Sequence, residues 1–375
     1  MDLNGLPFDD QAMLKGLRPW VECESPTFEP AAVGRMMELA ARDFATAGAQ
    51  IDHIAGRGGF GPCVRARFPG AGPARPGILV LGHFDTVHPV GTIETLYWRQ
   101  EGDRCYGPGI YDMKGGTYLA LEAVRQLARA GIEAPLPVTF LLTSDEEVGT
   151  PANRELIEEE ARRNKYVLVP EPGGASSVVS GRYAIARFNL EARGRPSHAG
   201  ASLKEGRSAL RYMARKILEI EEMTTDSCTF SVGVINSGRW VNCVPSVCRA
   251  EALSMAKRQT DLDAAVERLM EHAGSDMGIT FDVARGVTRP VWEPDAGTLS
   301  LYERARALGR QLGLDLGHES VGGGSDGNFT GALGIPTLDG LGVVGHGAHT
   351  LEEHIVTSSL SQRGRLFAGL VATLT

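Results

Sequence analysis

Across residues 9–48, apolar positions recur at helical spacing in two runs parted by ESPTFEP, and two helices are predicted there. Three short, continuously apolar runs follow, at 77–82 (GILVLG), 137–143 (PVTFLLT) and 166–169 (YVLV). Runs of this length without polar alternation predict strands buried on both faces. Between the first two, over 114–131, Leu119, Ala123, Val124, Leu127 and Ala128 recur at helical spacing, and Gly131 is placed to end that helix. Strands alternating with helices imply an α/β fold with a mostly parallel central sheet, covered on both sides.

Near Gly181 the pattern changes. In YAIARFNLEAR, polar Arg187, Asn189 and Glu191 alternate with apolar Phe188, Leu190 and Ala192, as in a strand with one wet face. A helix at 206–222, strands near 228–235 and 247–256, a helix from Thr260 to His272 and a strand near 279–284 complete the order β-α-β-β-α-β. The expectation is a ferredoxin-like α+β domain of residues 181–288 inserted into a larger domain of residues 1–180 and 289–375.

The chain's 375 residues exceed what one core usually serves. Its 42% hydrophobic and 22% charged residues are those of an ordinary globular protein. A net charge of −8 argues against nucleic acid or an anionic membrane as partner, and no apolar run is long enough to span a bilayer. The first residues, MDLNGLPFDD, lack the features of a signal peptide, and the six scattered cysteines read as reduced thiols, so a cytoplasmic location is expected.

Ligands in open α/β sheets gather beyond the carboxyl ends of the strands. All three runs end there in metal-type side chains: His83 and Asp85 in GHFDTV, Asp145, Glu146 and Glu147 in SDEEVG, and Glu171 in VPEPGG. Asp112 precedes the 114–131 helix, and GHGAHTLEEH adds His346, His349 and His354. Each piece alone has a bland explanation, such as a local hydrogen bond, a helix cap or a solvated acidic pair. Together they form a self-repelling acidic cluster that cations would relieve. Histidine with carboxylate favours zinc over magnesium. Two Zn²⁺ are balanced by Asp112, Glu147, Glu171 and a hydroxide, with two neutral imidazoles, and activated water is the implied nucleophile.

The blocks GHFDTV, YGPGIYDMKGG, TSDEEVG, VPEP, RPSHAG and GAHTLEE, in order from about residue 77 to residue 355, resemble the zinc-dependent carboxypeptidase, aminoacylase and deacylase family. That family includes glutamate carboxypeptidase, acetylornithine deacetylase and succinyl-diaminopimelate desuccinylase. RPSHAGA, TRP and GGGSD are most similar to the glutamate carboxypeptidase branch. The resemblance implies that His83 and Glu171 hold one zinc, Glu147 and His349 the other, and that Asp112 bridges them, with cobalt or manganese able to substitute. It implies that Asp85 orients His83, that Glu146 is the general base, and that the Asp112–Met113 peptide is cis. The inserted domain would be a lid and homodimer surface. His198 would stabilise the oxyanion in the partner's site with Asn242 nearby, and Arg289, beside the loop containing Gly324 and Ser325, would receive the carboxylate of an amino-acid-derived substrate. Trp240 and Cys243 stand in GRWVNCVPSVC where small or aliphatic residues are usual in the family, which bears on the substrate.

Hydrolysis of an amide bond in an N-acyl or peptidyl amino acid is therefore expected. A deacylase of acetylated or succinylated amino acids and a hydrolytic deaminase of an aromatic amine would use the same centre. A rival of another class reads GGSDG as a nucleophile elbow, with Ser325, Asp339 and His349 in the order of an esterase triad. A metal-free relative that only binds ligand is a further alternative.

Overall fold

The computed structural model describes residues 2–72 and 76–375. The chain divides into two compact units, one of residues 1–181, 293–321 and 325–375, the other of residues 182–292 and 322–324. Arg289 and Gly324, which fall in the larger domain by the sequence-based limits, belong to the second unit.

The first unit is built on a six-stranded sheet. Its order is Gln50–Ile54, Cys63–Phe68, Val138–Thr143, Gly77–His83, Asn164–Leu168, Thr337–Leu338. The last four are parallel, and the first two form an antiparallel margin. Every residue of Gly77–His83 is buried. Ile78 and Val80 pack on one face with Trp20, Phe44 and Leu119, from the helices Asp10–Glu22, Pro30–Thr46 and Gly115–Arg129. Leu79 and Leu81 pack on the other with Ile157 and Phe329. Two covered faces explain the unbroken apolar runs, since each buried Leu or Ile contributes roughly 1.5–3 kcal/mol.

The sequence-based expectation did not include the antiparallel margin or a two-stranded sheet of Ser177–Arg182 with Gly317–Val321. Nor did it include a small sheet ordered Gly345–His346, His354–Val356, Arg104–Tyr106, Arg99–Glu101, with strands too short to show any periodicity.

The second unit is a five-stranded antiparallel sheet ordered Cys228–Ser237, Val247–Ala256, Ala184–Arg193, Ile279–Arg289, Gly274–Asp276. The helices Ala209–Glu221 and Gln259–Met270 cover it around Phe188, Met213, Leu262 and Phe281. Burial alternates along Ala184–Arg193, matching the half-exposed pattern of that segment.

Candidate metal centre

Strand register assembles this cluster. Val80 lies opposite Leu168, so His83 and Glu171, each three residues further on, come out at the same level. His83 lies opposite Thr143, and Ser144 to Glu147 follow directly. Asp112 arrives on the irregular turn Ile110–Lys114, across a cis Asp112–Met113 bond, just before the helix Gly115–Arg129. That helix starts hard against the chain preceding Glu171. A Cβ on Gly116 would lie 1.8 Å from the Pro170 carbonyl oxygen, so only glycine permits the approach.

Asp112 stands between two imidazoles. Its Oδ1 is 3.2 Å from His83 Nε2, and its Oδ2 is 3.3 Å from His349 Nε2. Each imidazole faces a further carboxylate, Glu171 Oε1 at 3.6 Å from His83 and Glu147 Oε2 at 3.1 Å from His349. Glu146 Oε2 lies 4.0 Å from His83 Nε2 and converges with it and Glu171 on a common point. His349 itself has left-handed backbone, φ 64°, an uncommon conformation for a residue with a side chain.

His83 Nδ1 lies 2.9 Å from the carbonyl oxygen of Asp85, which can only accept, so Nδ1 carries a proton. A neutral His83 then turns a bare lone pair at Nε2 towards carboxylate oxygens. Only a proton or a metal cation between them makes that arrangement favourable. Without metal, protons take that place. Burial opposes charge on His83, but hydrogen bonds to Asp112 and Asp85 outweigh it and hold the imidazole well above its ordinary range. Hydrogen bonds to Asp112 and Glu147 lift His349 to about 10. Burial opposes ionisation of Asp112, yet the two histidines keep its carboxyl below the usual range. Glu147 and Glu171 are raised, first by burial and also by the charge of Asp112. Nitrogen and oxygen donors converging on shared points, with negative charge in excess, fit a divalent metal ion.

A supporting layer fixes these groups. The Asp85 carboxylate accepts the backbone N–H groups of Glu146 and Glu147, both at 3.2 Å, and the Thr27 hydroxyl at 2.9 Å. It thus anchors the loop bearing both glutamates, while its carbonyl orients His83.

The sequence reading assigned no role to Glu353, yet this buried carboxylate holds the Asp112 turn. Its Oε1 accepts Tyr111 N–H at 2.9 Å and Asp112 N–H at 3.0 Å, and its Oε2 accepts Gly109 N–H at 2.9 Å. The Oε2 also lies 2.7 Å from His88 Nε2. The available signal was the acidic pair in TLEEH, whose two members look alike in sequence. Lys114, also buried, donates to the Cys23 carbonyl at 2.9 Å, and burial lowers its amine to about 8.

Other sequence candidates lie elsewhere. Asp145 accepts Ala152 N–H and the Asn153 amide, both at 2.7 Å, and burial raises its carboxyl to about 6. His346 and His354 pair across the small sheet. Ser325 is fully buried, donating to Asp339 at 2.6 Å and accepting Gly327 N–H at 2.9 Å. With His349 held by Asp112 and Glu147 instead, the esterase triad is not assembled.

In the second unit, RPSHAG runs beside WVNCVP. Ala199 N–H donates to the Asn242 carbonyl, and Val244 N–H to that of Ser197, both at 2.9 Å. His198 Nδ1 accepts N–H groups from Gly200 and Ala201, both at 3.1 Å, which leaves Nε2 as the donor. Arg289 is buried at the end of its strand, and a Cβ on Gly324 would lie 2.8 Å from its Cδ.

A model of peptidase family M20/M25/M40 matches residues 79–373. Carboxypeptidase G2 of Pseudomonas sp. (strain RS-16) is 32% identical over 307 residues, 79% of this chain and 74% of that protein. Acetylornithine deacetylase of Myxococcus xanthus is 31% identical over 48% of this chain and 50% of its own length. In fold, a tripeptidase of Staphylococcus aureus superposes with a TM-score of 0.80 at 20% identity, covering 99% of this chain and 100% of that one. No helix among the described residues is long and apolar enough to cross a membrane. The chain therefore belongs to peptidase family M20/M25/M40, as a metal-dependent hydrolase of C–N bonds in peptides or acyl amino acids.

Proposed function

We propose that the chain is a dinuclear zinc hydrolase cleaving the amide bond of an N-acyl or peptidyl amino acid that carries a free carboxylate. The observation that carries this reading is Asp112, whose two oxygens face two different imidazoles, each also faced by a second carboxylate. His83, Glu171 and Asp112 would hold one ion, and His349, Glu147 and Asp112 the other, with cobalt or manganese able to substitute. Such ions, when bound, polarise a carbonyl oxygen and make water more acidic.

The chain's own groups do the rest. Glu146, beside His83 and Glu171, takes a proton from the attacking water and delivers it to the leaving amine nitrogen. His198, with its free donor at Nε2, stabilises the developing oxyanion, acting within a homodimer by resemblance to the family. Arg289 receives the substrate carboxylate, which a guanidinium grips through two parallel hydrogen bonds.

The test is a panel of N-acyl and dipeptide substrates with zinc supplied, each paired with its carboxamide. The carboxylates should be cleaved and the amides poorly. Charged hydrogen bonds contribute roughly 1.5–3 kcal/mol, so Arg289→Ala should lower kcat/KM about ten- to hundredfold for carboxylates and little for amides. Equal loss on both would make Arg289 structural. Turnover confined to N-acetyl amines that carry no carboxylate would overturn this substrate class in favour of a simple deacetylase.

A further inference from the structure

A cavity of about 650 Å³ lies in the second unit, beside the first turns of the helix Ala209–Glu221. Lys204, Arg207, Arg211 and Arg215 line it, and no Asp or Glu does. That concentration of positive charge occurs in a chain of net charge −8. Arg211 and Arg215 are four residues apart and so share a helix face. Arg207 is braced by the carbonyls of Lys204 at 3.1 Å and Gly206 at 2.8 Å, which orients its guanidinium without neutralising it. None of the four cations forms an ion pair among the described residues. The floor is apolar, made by buried Tyr212, Val244 and Ile279.

We propose that this cavity is a binding site for a small organic acid. Its carboxylate or sulfonate-type head would be held by Arg207, Arg211 and Arg215, and its apolar body would lie on Tyr212, Val244 and Ile279. The volume falls within the roughly 300–1,000 Å³ of small-molecule sites, which combine apolar walls with a few convergent polar groups. Guanidinium groups meet carboxylate and sulfonate heads through paired hydrogen bonds. A polyanion such as a nucleic acid would instead ask for an extended basic track. Two further residues of the lining, Ala199 and Cys243, belong to the paired segments that carry His198 and Asn242. A bound acid therefore touches the support of His198, a route by which it can modulate the enzyme. Binding of an acid here does not require the metal centre.

Cys243 reports on the site, being the exposed member of the six cysteines. The full-length protein is treated with iodoacetamide while 1-naphthalenesulfonate is titrated, and alkylation of the Cys243 peptide is followed by mass spectrometry. Saturating probe should slow alkylation at least fivefold. The variant R211A/R215A, altered only at exposed helix positions, should shift the protection midpoint at least tenfold upward. Added salt should shift it the same way, and neutral 1-naphthylmethanol should protect weakly. The proposal is overturned if the sulfonate gives no protection, if the neutral alcohol protects equally, or if R211A/R215A leaves the midpoint unchanged. Protection that follows protein concentration instead of probe would assign the cavity to a second copy of the chain, and would equally overturn it.

Discussion

Replacing Glu353 by Gln tests whether the Asp112 turn is held from behind. The carboxylate accepts three backbone N–H groups, from Gly109, Tyr111 and Asp112, at 2.9–3.0 Å, and it is 1% exposed. In Glu353→Gln one oxygen becomes an amide NH₂, which must face at least one of those donors. The less costly orientation turns it to Gly109 and His88, since a change of tautomer lets His88 accept. One buried N–H is then orphaned at about 1–3 kcal/mol, and the remaining bonds lose their charge assistance, for a total of about 2–4 kcal/mol. Part of this lowers the stability of the metal-free fold, and the rest frees Asp112 from its position between the imidazoles. Metal affinity should consequently fall about ten- to hundredfold, the range expected when a supporting partner of a ligand is lost. A competition titration against a chromophoric chelator reads the affinity, and calorimetry of metal-free protein reads the stability. The adjacent, exposed Glu352→Gln is the control. Unchanged affinity and unchanged Tm in Glu353→Gln would refute the reasoning. A loss confined to Tm would show that Glu353 serves the fold and not the ligand.

The adjacent glutamates should separate cleanly. Glu146→Gln should cut turnover roughly 10²–10⁴-fold with metal content kept, whereas Glu147→Gln should weaken metal binding; swapped phenotypes in paired kinetics and elemental analysis would reverse the assignment. Metal uptake should release protons, because His349, lifted to about 10 in the metal-free protein, is protonated at neutral pH, and a metal-bound imidazole must be neutral. Apparent affinity should therefore rise with pH from neutrality towards about 10 and fall as pH drops. Titration calorimetry in buffers of different ionisation enthalpy checks this, and uptake without proton release would contradict it.

Much of the architecture was legible in the sequence because burial leaves a local, periodic trace. Gly77–His83 and Val138–Thr143 are buried on both faces and read as unbroken apolar runs, while Ala184–Arg193, wet on one face, reads as alternation. Strand ends gather ligand-type side chains, so the cluster of His83, Glu147 and Glu171 could be anticipated, together with Asp112 before its helix. The margin strand Gln50–Ile54 could not, because none of its residues is buried and its polar Asp52 and His53 break any pattern.

Choices among look-alike neighbours belonged to the tertiary structure. His346, His349 and His354 share one short loop region, yet only His349, in left-handed backbone, reaches Asp112 and Glu147. Glu352 and Glu353 are adjacent, yet one faces solvent and the other meets backbone groups more than 240 residues earlier in the chain. Periodicity records which face of an element leaves water. It holds no record of which distant N–H groups lack an acceptor, because that need arises only when the folded chain has brought them out of water.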